Sequence, residues 1–119
     1  MDILIATPRP EALAGFGQGL ADAGNTVLVV GSGQEAAARV ATAPPKLCVV
    51  DAGLPDTDAF SLVARLMALN ALVDTAVVSE LSAEGFHEAG EGLGILMRLP
   101  SPPGPVQAGE LLDALGRIA

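Results

Sequence analysis

Five short apolar runs punctuate the chain: DILIAT (2–7), TVLVV (26–30), LCVVD (47–51), TAVVS (75–79) and GILMRL (94–99). Each is nearly continuous in Val, Ile and Leu, the pattern of strands covered on both faces. Between them, apolar positions recur at helical spacing. Leu13, Phe16, Leu20 and Ala21 share one face of a first helix, with Thr7 before Pro8 as its predicted N-cap and Gly24 as its stop. Ser32 and Glu35 stand at capping-box spacing ahead of a second helix that stops at Pro44-Pro45. In the third, Phe60, Val63 and Met67 form one row and Leu62, Leu66 and Leu69 another. So wide an apolar set predicts burial over much of the circumference. Residues 82–94 hold four glycines, each costing about 1 kcal/mol against Ala inside a helix. A turn or two of helix followed by loop is expected there. A fifth helix follows the proline-rich PSPPGP (100–105) and runs to Ala119, with Leu111, Leu112, Leu115 and Ile118 inward.

Strand and helix alternate five times, with no internal repeat or linker. This predicts one α/β domain over residues 1–119, a doubly wound parallel sheet joined by right-handed crossovers with helices on both faces. Chemistry in such folds sits at the carboxyl ends of the strands. Asp51 ends the third run, so it lies on that edge.

Composition narrows the functions. Half of the 119 residues are hydrophobic, with three Phe and no Trp or Tyr, so the core is aliphatic. The net charge of −8, with six Lys and Arg, argues against direct contact with nucleic acid or an anionic membrane. No apolar run reaches the roughly 18 residues of a membrane span. The opening MDILIATPRPE has no basic region or cleavage site of a signal peptide. Cys48, the one cysteine, sits in an apolar run and reads as a buried, inert thiol, consistent with a reducing cytoplasm.

The smaller motifs are weaker. GSGQE (31–35) places glycines before a helix N-terminus, where anions bind. It lacks both glycine-rich nucleotide patterns and reads as a turn plus capping box. His87 has no His, Cys or acid cluster around it in sequence and reads as a surface helix residue. In LPDTD, Asp56 and Asp58 read as loop and helix-capping residues.

Across its whole length the sequence resembles the receiver domain of bacterial response regulators, the chemotaxis-regulator-like fold with strand order 2-1-3-4-5. VVDAGLPDTDA carries the acceptor aspartate of that family, Asp51, with Pro55 four residues on; Ala59 replaces the usual glycine. Ser79 matches the hydroxyl that ends the fourth strand. Arg98, followed by Leu99 and Pro100, falls at or near the lysine of the Lys-Pro pair that closes the family's pocket. The resemblance implies a signalling module of two-component phosphorelays, not an enzyme. Its partners would be a histidine kinase or an output protein, or a second copy, met through the face made by the fourth helix, fifth strand and fifth helix.

One departure carries consequences. The family follows its first strand with acidic residues that hold Mg²⁺ together with the acceptor. Here Thr7-Pro8-Arg9 stands there. Mg²⁺ asks for near-octahedral oxygen ligands, and Asp51 alone is a weak metal site. Asp51 then reads either as a phosphoacceptor or as a relic carboxylate, paired with Arg98 or solvated at the sheet edge. Ser79 reads as a phosphate contact or as a strand-end hydroxyl bonded to backbone. Arg98 reads as an anion clamp or as the partner of Asp51. The aromatic that switches rotamer in the family's fifth strand is missing, with Leu96 at its expected place. The expectation is a pseudo-receiver without a cofactor, acting by protein–protein interaction. The alternatives are a conventional receiver switched by phosphorylation of Asp51, and a small-ligand-binding α/β domain.

Overall fold

The computed structural model describes residues 1–118. Five parallel strands form one sheet in the order β2-β1-β3-β4-β5. They are β1 (Asp2–Ala6), β2 (Thr26–Val30), β3 (Leu47–Val50), β4 (Asp74–Val78) and β5 (Met97–Leu99). The helices are α1 (Ala14–Asp22), α2 (Gly33–Thr42), α3 (Ala59–Leu69), α4 (Ala83–Gly90) and α5 (Pro105–Ile118). Ala119, the end of the expected fifth helix, lies outside the described residues.

Strand alternation sends Leu4, Ala6, Cys48, Val50 and Val77 toward α2 and α3, while Ile3, Ile5, Leu47, Val49, Ala76 and Val78 meet α1 and α5. The core is therefore two aliphatic layers with the sheet between them. Cys48 is buried as expected, and burial pushes its thiol up to about 12. No helix among the described residues is long and apolar enough to cross a membrane.

Several local expectations need correction. β2 is an edge strand, so its side chains are not covered on both faces: Leu28 is 39 % exposed and Val29 46 %. The chain after β1 does not enter a helix at Pro8. Pro10–Leu13 first make a 3-10 turn, and Thr7 turns its hydroxyl inward instead of capping. β5 shrinks to three residues because Gly92 and Gly94 take positive φ, which breaks the extended chain ahead of it. In α3 the buried set is Ala59, Leu62, Val63 and Leu66, and Met67 and Leu69 face outward. In α5 Ile118 is exposed, whereas Leu111 and Leu115 are buried. Ala21 is exposed beside the buried Leu13, Phe16 and Leu20.

The caps of α2 and α3 and the glycine after α1 behave as the sequence dictates. Ser32 Oγ accepts the Glu35 amide at 3.1 Å, and Gly24, at φ +94°, follows α1. Asp58 Oδ1 accepts the Ser61 amide at the start of α3.

Candidate functional site

Asp51 follows β3 directly and is fully buried, with 0 % exposure. A buried carboxylate needs partners for its acceptor lone pairs. Four donors supply them. Thr7 Oγ1 donates to Oδ2 at 2.7 Å and Arg9 Nε to the same oxygen at 2.9 Å. Arg9 Nη2 donates to Oδ1 at 3.1 Å and the Ala52 amide to Oδ1 at 2.8 Å. The guanidinium thus grips the carboxylate through two nitrogens, the strong charge-assisted arrangement.

Local sequence explains why Arg9 arrives there. β1 lies beside β3, with Ala6 opposite Val50, so the chain leaving β1 passes over Asp51. Thr7 Oγ1 accepts the Arg9 amide at 3.0 Å while donating to Asp51, which ties the loop to the carboxylate. Arg9 also donates to Ser101 Oγ through Nη2. Hydrogen bonding to Asp51, helped by the charges of Asp51 and Glu80, raises the guanidinium pKa above its already high ordinary value.

The expected partnership of Asp51 with Arg98 is not made. Arg98 lies inside β5, opposite Val77 of β4, and Leu99 takes the inward position. Alternation then turns Arg98 toward α4, where it borders a depression with Phe86, His87 and Gly90. The residue from that end of the sheet that does reach the site is Ser101, joined to Pro102 by a cis peptide bond. The cation beside Asp51 comes from the loop after β1, as Arg9, which also holds Ser101. No aromatic residue lies in β5.

Ser79 is buried at the end of β4 and does border the site. Its amide donates to Leu99 O at 3.0 Å, and its Oγ accepts the Leu81 amide at 3.1 Å. That is the strand-closing role. Beside it opens a cleft of about 530 Å³ lined by Arg9, Ala52, Phe60, Ser79, Leu81 and Ser101.

The donor set does not fit Mg²⁺. Thr7 and Pro8 bring no carboxylate, and the lone pairs of Asp51 already face Arg9, Thr7 and Ala52. No cluster of three or more His, Cys, Asp or Glu suited to a metal occurs among the described residues.

The possible anion site at GSGQE is filled from within. Asp56 accepts the amides of Gly33 and Gln34, both at 2.8 Å, so a carboxylate of the chain caps α2. Those amides hold Asp56 below the usual carboxylate range, and the Ser61 hydroxyl and amide do the same to Asp58. His87 is exposed on α4.

Sequence reasoning missed Arg9 and Ser101. The signal for Arg9 was present in the strand order: β1 adjoins β3, whereas β5 is separated from it by β4.

No family model matches the sequence, and no curated protein does. Solved structures match over nearly the whole chain. The receiver domain of a Francisella response regulator superposes with a TM-score of 0.85 at 22% identity, covering 99% of this chain and 98% of its own. A two-component response regulator from Clostridium difficile gives 0.85 at 14% identity, with coverage of 99% and 98%. A chemotaxis response regulator of Vibrio cholerae gives 0.80 at 21%, with coverage of 99% and 98%. With the strand order and the strand-end position of Asp51, these matches establish that the chain has the receiver-domain fold of response regulators.

Proposed function

We propose that this chain is a receiver-type module of two-component-like signalling whose acceptor position is neutralised by its own Arg9. On this reading it is not an enzyme. It acts by protein–protein contact with a kinase or an output protein, without phosphoryl transfer through Mg²⁺. The supporting observation is the two-nitrogen grip of Arg9 on Asp51. Phosphoryl transfer depends on charge neutralisation and on a free attacking oxygen. Arg9 occupies the place of the cation and engages both oxygens. The fifth-strand aromatic switch is also lacking. Leu81 and Val106 are exposed apolar residues just before α4 and at the start of α5.

A conventional phospho-switch is the second reading. It draws on the 37 % exposure of the Arg9 side chain, which gives the guanidinium a route out of the site. A small-ligand domain is the third, and it would use the cleft beside Ser79. Calorimetric titration with Mg²⁺ separates the first two. The expected result is no binding heat at millimolar Mg²⁺. Binding that Asp51→Asn abolishes would sink the first reading.

A further inference from the structure

Residues 100–104, which join β5 to α5, have few backbone anchors. Three of the five are proline and donate no hydrogen bond. Gly104 bonds only forward, its amide to Gln107 Oε1 and its carbonyl to the amides of Gln107 and Ala108 in α5. Pro103 is buried, so the segment stays packed at that end. At the other end it depends on one polar contact. Among the described residues, a single hydrogen bond ties the segment to any element other than α5: Arg9 Nη2 donates to Ser101 Oγ.

The same nitrogen also donates to Asp51 Oδ1 at 3.1 Å, the longest of the four bonds on that carboxylate. A guanidinium nitrogen of this kind carries two hydrogens, enough for both partners. The planar head is thereby held from two sides. Nε donating to Oδ2 at 2.9 Å is the pivot, and the two Nη2 bonds fix the plane about it. Asp51 is sealed, whereas the Arg9 side chain is partly exposed and borders the cleft beside Ser79. Without Ser101, the pivot and the longest bond alone hold a cation that has open space beside it.

We propose that Ser101 is a positioning residue that latches Arg9 onto Asp51, and that this latch couples Asp51 to the start of α5. The proposal rests on the reading that Arg9 neutralises the acceptor position, and it adds how that neutralisation is regulated. Movement of the 100–104 segment carries Ser101 away, lets the guanidinium turn about its pivot, and frees Asp51 Oδ1 of its cation. Linkage makes the effect reciprocal. Removing the charge of Asp51 loosens Arg9, and with it the segment ahead of α5. The bridge Asp51–Arg9–Ser101 thus gives the domain a path from its buried carboxylate to its last helix with no aromatic residue in β5.

Hydrogen exchange followed by NMR on the intact chain reads both directions. The first observable is Arg9 Nε–H, compared with the exposed Arg117. In the wild type it should exchange about a hundredfold more slowly than Arg117, and Ser101→Ala should speed it about tenfold, the worth of one charge-assisted bond. The second observable is the pair of amides at Gly104 and Gln107, which frays when the segment is released. Asp51→Asn should speed their exchange, and in a Ser101→Ala background the same change should add nothing. Slow exchange at Arg9 that Ser101→Ala leaves unchanged overturns the latch while leaving the grip of Arg9 on Asp51 intact. Wild-type exchange at Arg9 as fast as at Arg117 overturns the latch and the reading beneath it together. Equal effects of Asp51→Asn with and without Ser101 overturn the coupling to α5. Exchange at Val49 in the core of β3 should stay the same in Ser101→Ala; a matching rise there would mark general loosening and overturn the assignment of Ser101 as a positioning residue.

Discussion

Replacing Arg9 by Met removes the cation from Asp51 while keeping a flexible side chain of similar length. The carboxylate stays buried and retains two of its four donors, Thr7 Oγ1 and the Ala52 amide. The Ser101 contact is lost as well. Hydrogen bonds to charged groups contribute about 1.5–3 kcal/mol each, and stripping one partner from a fully buried pair costs about 3–5 kcal/mol. The pair here is half open: Asp51 is sealed, but the Arg9 side chain is 37 % exposed. Water entering the vacated space reduces the loss, so the expected destabilisation is about 2–3 kcal/mol. For a domain of this length that is a fall of about 10 °C in Tm. With no Trp or Tyr in the chain, urea unfolding is followed by far-UV circular dichroism. The double variant Arg9→Met/Asp51→Asn closes a cycle. Its loss should be smaller than the sum of the single losses by roughly 2 kcal/mol, because the second change removes the stranded charge. A single-variant loss below about 0.5 kcal/mol, or strict additivity in the cycle, would refute the view that Arg9 holds Asp51.

Four further outcomes are expected. Asp56 has a folded pKa below its unfolded value because Gly33 and Gln34 donate to it. Its stabilising effect is present above the unfolded value, about 3.9, and is lost as pH falls through the folded one; Asp56→Ala should flatten the acid limb of the stability–pH curve, and an unchanged limb would count against the α2 cap. Cys48, with its thiol pushed up to about 12, should resist a disulfide reagent at pH 8 in the native protein and react fully in urea; prompt native labelling would contradict its burial. Phe16→Ala should cost about 3–5 kcal/mol in urea unfolding, whereas Leu69→Ala, on the exposed side of α3, should stay within about 0.5 kcal/mol. Gly33→Ala should destabilise, since an added Cβ would lie 2.5 Å from Thr57 Cγ2; a neutral effect in the same assay would show that the Asp56–Thr57 loop yields freely.

The strands were legible because parallel strands are written as unbroken Val/Ile/Leu runs, and each was found within a few residues; their order came from the resemblance to receiver domains, not from the runs. The strand end of Asp51 followed from the same pattern. Burial by helical spacing was less reliable. Met67, Leu69 and Ile118 keep the period of α3 and α5 yet face outward, because each helix packs on one side of the sheet and cannot bury a wide apolar arc. The cation was misassigned because Arg98 was matched by its place in a motif, not by its distance from Asp51 in the sheet. Adjacent strands lie about 4.8 Å apart, so a side chain leaving β1 reaches the end of β3 far more easily than one on β5. The role of Thr7 was hidden by a local rule. Threonine before proline reads as an N-cap, but the buried carboxylate is the stronger competitor for its hydroxyl.

The central claim is that Asp51 is engaged by Arg9 and accepts no phosphoryl group. The most direct measurement is intact mass after incubation with a small phosphodonor and Mg²⁺, beside Asp51→Asn. The account predicts no phosphate-sized gain in either protein while both remain folded. A gain in the wild type that vanishes in Asp51→Asn would contradict it, and would mean that Arg9 leaves the site readily enough for the carboxylate to attack.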